Sequence, residues 1–185
     1  MALNLYIGPM FSGKTTAALK LIDTYIQNNE SFLCITSKLD TRYSSAGKIV
    51  SHDMKSYDAL SVSNLLPVLG FDEFLKADYI IIEESNFFPD LKTFVLYALE
   101  SFGKHVTCIG LDGDYKREPF GQLLELVPYC SSIMKFKAIC KMCHGFRRNA
   151  IFTHRITSES TQTLVGGKDT YESLCRIHYL ARASL

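Results

Sequence analysis

A parallel α/β sheet is the architecture this sequence predicts, on three observations. The apolar run Leu3–Ile7 leads into Gly8-Pro9-Met10-Phe11-Ser12-Gly13-Lys14-Thr15, which fits G-x-x-x-x-G-K-[ST], and a segment of helical spacing follows. Phe32–Thr36, Tyr79–Ile82 and Val106–Ile109 are short, continuous apolar runs, as strands covered on both faces of a parallel sheet should be. Between these runs lie stretches with helix-period apolar residues, so strands and helices alternate with right-handed crossovers.

In chain order, Ala18, Leu21, Ile22, Tyr25 and Ile26 place one apolar stripe on the first helix, which Asn28–Ser31 closes. After the second strand, the polar segment Ser37–Asp53 is too long for a tight connection and reads as a functional or mobile loop holding Asp40, Arg42 and His52-Asp53. Leu60–Leu75 reads as two short helical pieces broken by Pro67 and Gly70. Phe87-Phe88-Pro89-Asp90 starts a helix carrying Leu91, Phe94, Val95, Ala98, Leu99 and Phe102, and Gly103 stops it. Pro119 is placed to open a further helix through Leu123, Leu124 and Leu126. Ile133–Ile139 alternates apolar with polar or basic residues, which suits a half-exposed strand.

The chain of 185 residues suits one α/β domain with a small appendage, divided here as 1–139 and 140–185. At 47% hydrophobic and 21% charged it can bury a sizeable core. Twenty Lys and Arg against 19 Asp and Glu leave no basic footprint, so nucleic acid is not an expected partner. No apolar run approaches membrane-spanning length. The amino end has no charged leader pattern, and the glycine-bounded loop begins at residue 8, so the protein is expected to be intracellular and cytoplasmic. Its six cysteines are then reduced, with Cys34, Cys108 and Cys130 expected to be small buried hydrophobes.

The chemistry concentrates in three places. Backbone N–H groups of the loop and the free donors of the following helix converge on one concavity suited to triphosphate oxygens. Lys14 is expected to reach the outer phosphates, and the Thr15 hydroxyl to hold Mg²⁺. Tyr79–Ile82 runs into Glu83-Glu84, the position of a Walker B site, where one carboxylate can fix Mg²⁺ through its waters and the other serve as general base. The knuckles Cys140-Lys141-Met142-Cys143 and Cys175-Arg176-Ile177-His178 offer three thiolates and an imidazole, the closed set that structural Zn²⁺ prefers. His144 competes with His178 as fourth ligand, and a redox C-x-x-C is the rival reading. Such a zinc staples the ends of an excursion whose tip, Thr161–Lys168, includes Gly166-Gly167, where backbone can closely approach a ligand.

Taken together, Gly8–Thr15, Asp40-Thr41-Arg42-Tyr43-Ser44, Ser51-His52-Asp53, Glu84 before Phe87-Phe88, Leu111-Asp112-Gly113, Pro119-Phe120-Gly121, the cysteine knuckles and Gly166-Gly167-x-Asp169-x-Tyr171 resemble the type II thymidine kinases, the cellular and poxvirus-like class. The resemblance covers nearly the whole chain. It implies a RecA-like P-loop domain and a zinc-anchored lobe whose lasso loop closes over a nucleoside. The implied activity is transfer of the ATP γ-phosphate to the 5′-hydroxyl of thymidine. Glu84 matches the family's catalytic glutamate. Asp40, Thr41, Arg42, Glu83, Ser85 and Asn86 join Gly8–Thr15 as nucleotide contacts. Gln162, Thr163, Leu164, Val165 and Gly166 supply backbone contacts to the base, with Tyr171 and Tyr115 also at the nucleoside. Met10, Phe87, Leu111, Phe120 and Thr153 line the pocket. A homotetramer and feedback by thymidine triphosphate are further family expectations.

Three positions depart from the family pattern. Glu83 stands where Asp is usual and reaches one methylene further. Tyr115 stands in place of Phe, adding a hydroxyl that needs a partner if buried. His178 replaces the fourth Cys. Three other readings compete with a thymidine kinase: a kinase of the same build with another base preference; a P-loop ATPase that binds nucleic acid through a zinc ribbon, for which Lys135, Lys137, Lys141, Arg147 and Arg148 are the motivating cluster; and a degenerate nucleotide-binding regulator that uses the zinc lobe for assembly, against which intact Lys14, Thr15 and Glu84 speak.

Overall fold

In a computed structural model, residues 1–40, 47–50, 55–144 and 148–183 are described. Thr41, Arg42, Tyr43, Ser44, Ser51, His52, Asp53 and Arg147 lie outside them. The central sheet is built from β1 (Leu3–Ile7), β2 (Phe32–Ser37), β5 (Leu60–Val62), β6 (Tyr79–Ile82), β7 (His105–Gly110) and β8 (Ser132–Lys135). The strand order is β5-β2-β6-β7-β1-β8, and every pairing is parallel. β3 (Lys48–Val50) and β4 (Ser56–Asp58) form a separate antiparallel hairpin.

The apolar strands are needed because both faces are covered. Ile80 and Ile82 of β6 point into one core with Leu3, Leu5, Val106, Phe74, Phe88 and Phe94. Ile81, on the opposite face, packs with Cys34, Ile109 and with Ala18, Leu19 and Ile22 of α1 (Lys14–Gln27). Fully burying side chains of this size contributes about 1.5–3 kcal/mol each, so two hydrophobic layers hold β6 and fix where its carboxyl end emerges.

Several local expectations change in the structure. Leu60 begins strand β5 rather than a helical piece, while 3₁₀ turn Leu66–Gly70 and α2 (Asp72–Lys76) follow it. Pro67 sits at the start of that turn, where its missing N–H costs nothing. The long polar segment gives up Lys48–Val50 to a strand. α3 (Leu91–Leu96) continues through a π-helical turn, Tyr97–Ser101. Pro119 opens no helix; the leucines after it form a 3₁₀ stretch, Leu123–Tyr129. The alternating stretch at 133–139 splits into β8, an exposed sheet edge, and β9 (Ala138–Ile139).

Beyond the sheet, β9 pairs antiparallel with β10 (Asn149–Ala150), and β11 (Phe152–Arg155) pairs antiparallel with β12 (Tyr171–Leu174). With α4 (Arg176–Ala183) they enclose a small core of Ala138, Cys140, Ala150, Leu174, Cys175 and Tyr179. Among the described residues, no helix is long and apolar enough to cross a membrane.

Candidate active site and metal centre

The phosphate loop is shaped by two glycines. A Cβ on Gly8 would stand 2.6 Å from the Phe136 carbonyl oxygen, so the chain leaving β1 has room for hydrogen only. Gly13 caps α1 in the left-handed region at φ 83°, a conformation glycine adopts without penalty. The Lys14 ammonium donates to the carbonyls of Gly8 and Pro9, at 3.0 and 2.8 Å. The Ser12 hydroxyl is buried with no hydrogen-bond partner among the described residues, as expected of a cradle built for an anion's oxygens.

At the tip of β6 the Thr15 hydroxyl donates to Glu83 Oε1 at 2.5 Å, and Glu83 is buried. The hydroxyl of the loop and the carboxylate of the neighbouring strand thus meet at one point, an oxygen donor set that suits Mg²⁺. Glu84 follows in the left-handed region, at φ 52° and ψ 38°. A non-glycine residue held there carries backbone strain of the kind that clusters at functional sites. Glu84 lines the same cavity as the loop. Below them, burial pushes the Cys34 thiol up to about 12, with the Glu83 carboxylate adding to the effect.

One cavity of about 440 Å³ joins these groups to the C-terminal lobe. Of the expected site residues, Met10–Thr15, Asp40, Glu83, Glu84, Phe87, Leu111, Tyr115, Phe120, Thr153, Gln162, Leu164, Val165, Gly166 and Tyr171 line it. Gly8 and Pro9 lie behind the loop and hold Lys14. Ser85 and Asn86 are buried and turned to β7 instead: the Ser85 hydroxyl donates to the Ile109 carbonyl at 2.7 Å, and Asn86 Oδ1 accepts from the Leu111 N–H at 3.1 Å. Thr163 is exposed and outside the lining. Thr153 has a second task, accepting the Met10 N–H at 3.0 Å, while the Ser173 hydroxyl donates to the Met10 carbonyl at 2.6 Å. The lobe therefore grips the phosphate loop from the side.

Sequence reasoning missed Thr16, Thr36, Asp114 and Arg155, and placed Lys48–Val50 and Lys168 only within candidate loops; all are in the lining. Asp114 accepts the N–H groups of Lys116 and Glu118 and the Gln162 side-chain amide, so it shapes a turn and anchors the lasso at once. The acid one residue after a glycine was the available signal for it. Arg155 had none, because its partners lie in a loop with no periodic pattern.

In the lobe, donor atoms of Cys140, Cys143, Cys175 and His178 lie within 4.8 Å of one another. His178 Nδ1 is 3.4, 3.5 and 3.4 Å from the sulfurs of Cys140, Cys143 and Cys175. Ligands about 2.0–2.3 Å from one tetrahedral ion stand roughly 3.6 Å apart, so the set fits zinc. His144 is not part of the group. Cys108 and Cys34 are buried as expected, whereas Cys130 is only half-buried, on the loop entering the sheet edge.

The family model described as "Thymidine kinase" matches residues 1–179. The chain belongs to the thymidine kinase family. A "Thymidine kinase" of Oryza sativa subsp. japonica is 38% identical over 182 residues, 96% of this chain and 66% of the rice protein, so the chain spans just under two thirds of that relative. "Thymidine kinase, cytosolic" of Homo sapiens is 37% identical over 98% of this chain and 74% of its own length. "Thymidine kinase" of Yaba monkey tumor virus is 36% identical, over 96% and 93%. In fold alone the chain is similar to the flagellar accessory protein FlaH of Methanocaldococcus jannaschii, with TM-score 0.53 and 13% identity over 80% of this chain and 76% of that one.

Proposed function

We infer that this thymidine kinase family member transfers the γ-phosphoryl group of MgATP to the 5′-hydroxyl of thymidine. One observation carries the reading: the phosphate loop, the Glu83-Glu84 strand tip and the Gln162–Gly166 segment open onto a single cavity. Family membership supports the substrate pair.

In this reading the loop amides, Lys14 and Ser12 hold the β- and γ-phosphates. Thr15 and Glu83 would hold Mg²⁺, whose charge would offset that of the phosphates. Glu84 accepts the proton of the 5′-hydroxyl as its oxygen forms a bond to the γ-phosphorus. The bond from that phosphorus to the bridging oxygen breaks, and ADP leaves. Leu111, Phe120 and Phe87 give the nucleoside apolar walls, and Phe87 and Phe120 meet edge to face at 5.5 Å. The Glu83 carboxylate reaches the Thr15 hydroxyl directly, so the two side chains would be able to hold one ion together. Asp40 completes the nucleotide side of the cavity. Zinc in the Cys₃His set is a structural element, tying β9 to the start of α4.

Two members of the competing set lose support. The Tyr115 hydroxyl donates to the Ser160 carbonyl at 2.9 Å, so it is occupied within the lobe rather than offered to a base. Lys135, part of the basic cluster, pairs with Asp112 at 3.0 Å. A coupled ADP-release assay with thymidine, with deoxycytidine and with no acceptor tests the assignment. ADP release that requires thymidine is expected. Equal release without an acceptor, or a preference for deoxycytidine, overturns it.

A further inference from the structure

Arg155, at the end of β11, is only 5% exposed. None of the ion pairs among the described residues uses it. Its charge is met by backbone instead. Nη1 donates to the carbonyls of Glu159 and Thr161, at 2.9 and 2.5 Å, and Nη2 to that of Gln162 at 3.1 Å. Nη2 also donates to the Tyr171 hydroxyl at 2.7 Å, which in turn donates to the Leu164 carbonyl at 2.7 Å. The guanidinium lies 3.9 Å over the Tyr115 ring, and the Tyr115 hydroxyl takes the Ser160 carbonyl. The remaining carbonyl, of Thr163, accepts the Thr161 hydroxyl at 3.3 Å.

Every carbonyl from residue 159 to 164 therefore has a side-chain donor, and five of the six trace back to Arg155, Tyr115 and Tyr171. A loop without backbone pairing normally forfeits its shape to chain entropy. Here a buried cation draws the carbonyls inward, and its contacts among the described residues are backbone carbonyls, the Tyr171 hydroxyl and the rings of Tyr115 and Tyr171. Charge-assisted hydrogen bonds of this kind are the strong ones, and losing the fork releases several part-buried carbonyls of one loop together.

We propose that Arg155 is a positioning residue that sets the lasso in its nucleoside-binding shape before any nucleoside arrives, with Tyr115 as a second latch at Ser160. The proposal rests on the nucleoside reading of the cavity. Its physical consequence is that the lasso is preorganised, so less ordering is charged against substrate binding. The Tyr115 hydroxyl closes this latch at the Ser160 carbonyl.

The test uses the full chain, zinc-loaded, without nucleotide or nucleoside. Arg155→Lys keeps the charge but loses the planar fork. Cleavage at Glu159 by a glutamate-specific protease and at Leu164 by chymotrypsin should then accelerate at least tenfold. With thymidine, KM should rise tenfold or more while kcat falls less than threefold and the MgATP Kd stays within twofold. Tyr115→Phe, which deletes one hydroxyl at a partly exposed position, should accelerate the same cleavages about threefold. Unchanged cleavage in both variants overturns the proposal, as does a loss that appears in kcat and MgATP binding with thymidine KM unchanged. If Arg155→Lys does not fold, the Tyr115→Phe cleavage rates alone decide between the two outcomes. Because proteolysis reads the loop without substrate, it separates failure of this proposal from failure of the thymidine assignment, which the wild-type acceptor assay reads.

Discussion

Ser173→Ala deletes one oxygen and severs the grip of β12 on the phosphate loop. Ser173 and Met10 are 4% and 8% exposed, and the Ser173 hydroxyl reaches the Met10 carbonyl at 2.6 Å. Both residues are buried, so the carbonyl that loses its donor bears a desolvation cost of about 1–3 kcal/mol. With a urea slope of ~2 kcal/mol/M, a loss of about 2 kcal/mol lowers the unfolding midpoint by roughly 1 M. The Met10 N–H remains tied to Thr153, so the loop is loosened rather than freed, and MgATP Kd should rise about fivefold as part of the cost moves into loop ordering. Thr153→Val added to Ser173→Ala should be non-additive, because both act on Met10. Ser132→Ala is the control: its hydroxyl bonds Asn4 Oδ1 at an exposed sheet edge, and its loss should stay within about 0.5 kcal/mol. A Ser173→Ala protein with the wild-type midpoint and wild-type MgATP affinity refutes the reasoning that the lobe holds the loop.

Other predictions are shorter. Glu84→Gln should lower kcat at least ~10²-fold with MgATP binding retained, the loss expected for a general base; near-normal turnover by the same ADP-release assay removes Glu84 from that role. Metal analysis should find one zinc per chain, and chelation should loosen residues from 140 onward. Through Ser173 and Thr153, chelation should weaken MgATP binding as well as raise thymidine KM; calorimetry that shows MgATP binding untouched by chelation argues against the coupling. Cys34 and Cys108 should resist iodoacetamide at pH 8 while half-buried Cys130 reacts, since burial raises both interior thiols and takes Cys34 to about 12; peptide mass spectrometry decides it. The sign for stability follows from the same shift. The unfolded thiol ionises near pH 9 and the folded one only near 12, so the contribution of Cys34 is complete below pH 9 and falls as pH rises through that window.

Much of this molecule is legible locally. Gly8 to Thr15 declares itself because a phosphate cradle needs a glycine turn, a lysine and a hydroxyl at fixed spacing. β6 declares itself because a strand buried on both faces must be apolar throughout, and the acids beyond it must then sit at the sheet's carboxyl edge. The cysteine knuckles are short-range geometry too, since the C-x-x-C and C-x-x-H spacings suit a tetrahedral ion. Composition and period therefore determined the sheet class, the loop, the carboxylate pair and the three candidate cysteine ligands, while the choice of His178 over His144 waited for the fold.

What the sequence could not determine was which polar groups face which. Ser85 and Asn86 follow Glu84 directly, yet the left-handed turn at Glu84 sends them under β7 and leaves Glu84 in the cavity. Leu60 reads as helix by its neighbours but pairs with Ile35, since an open sheet edge rewards any short β-branched or leucine segment that reaches it. Arg155 and Asp114 carry no periodic signature at all. Their roles exist only once β11, the 114–118 turn and the lasso are folded together, because a cation's worth depends on the carbonyls around it. Those carbonyls lie four to nine residues away and through a tyrosine on another loop, and tertiary packing alone could choose them.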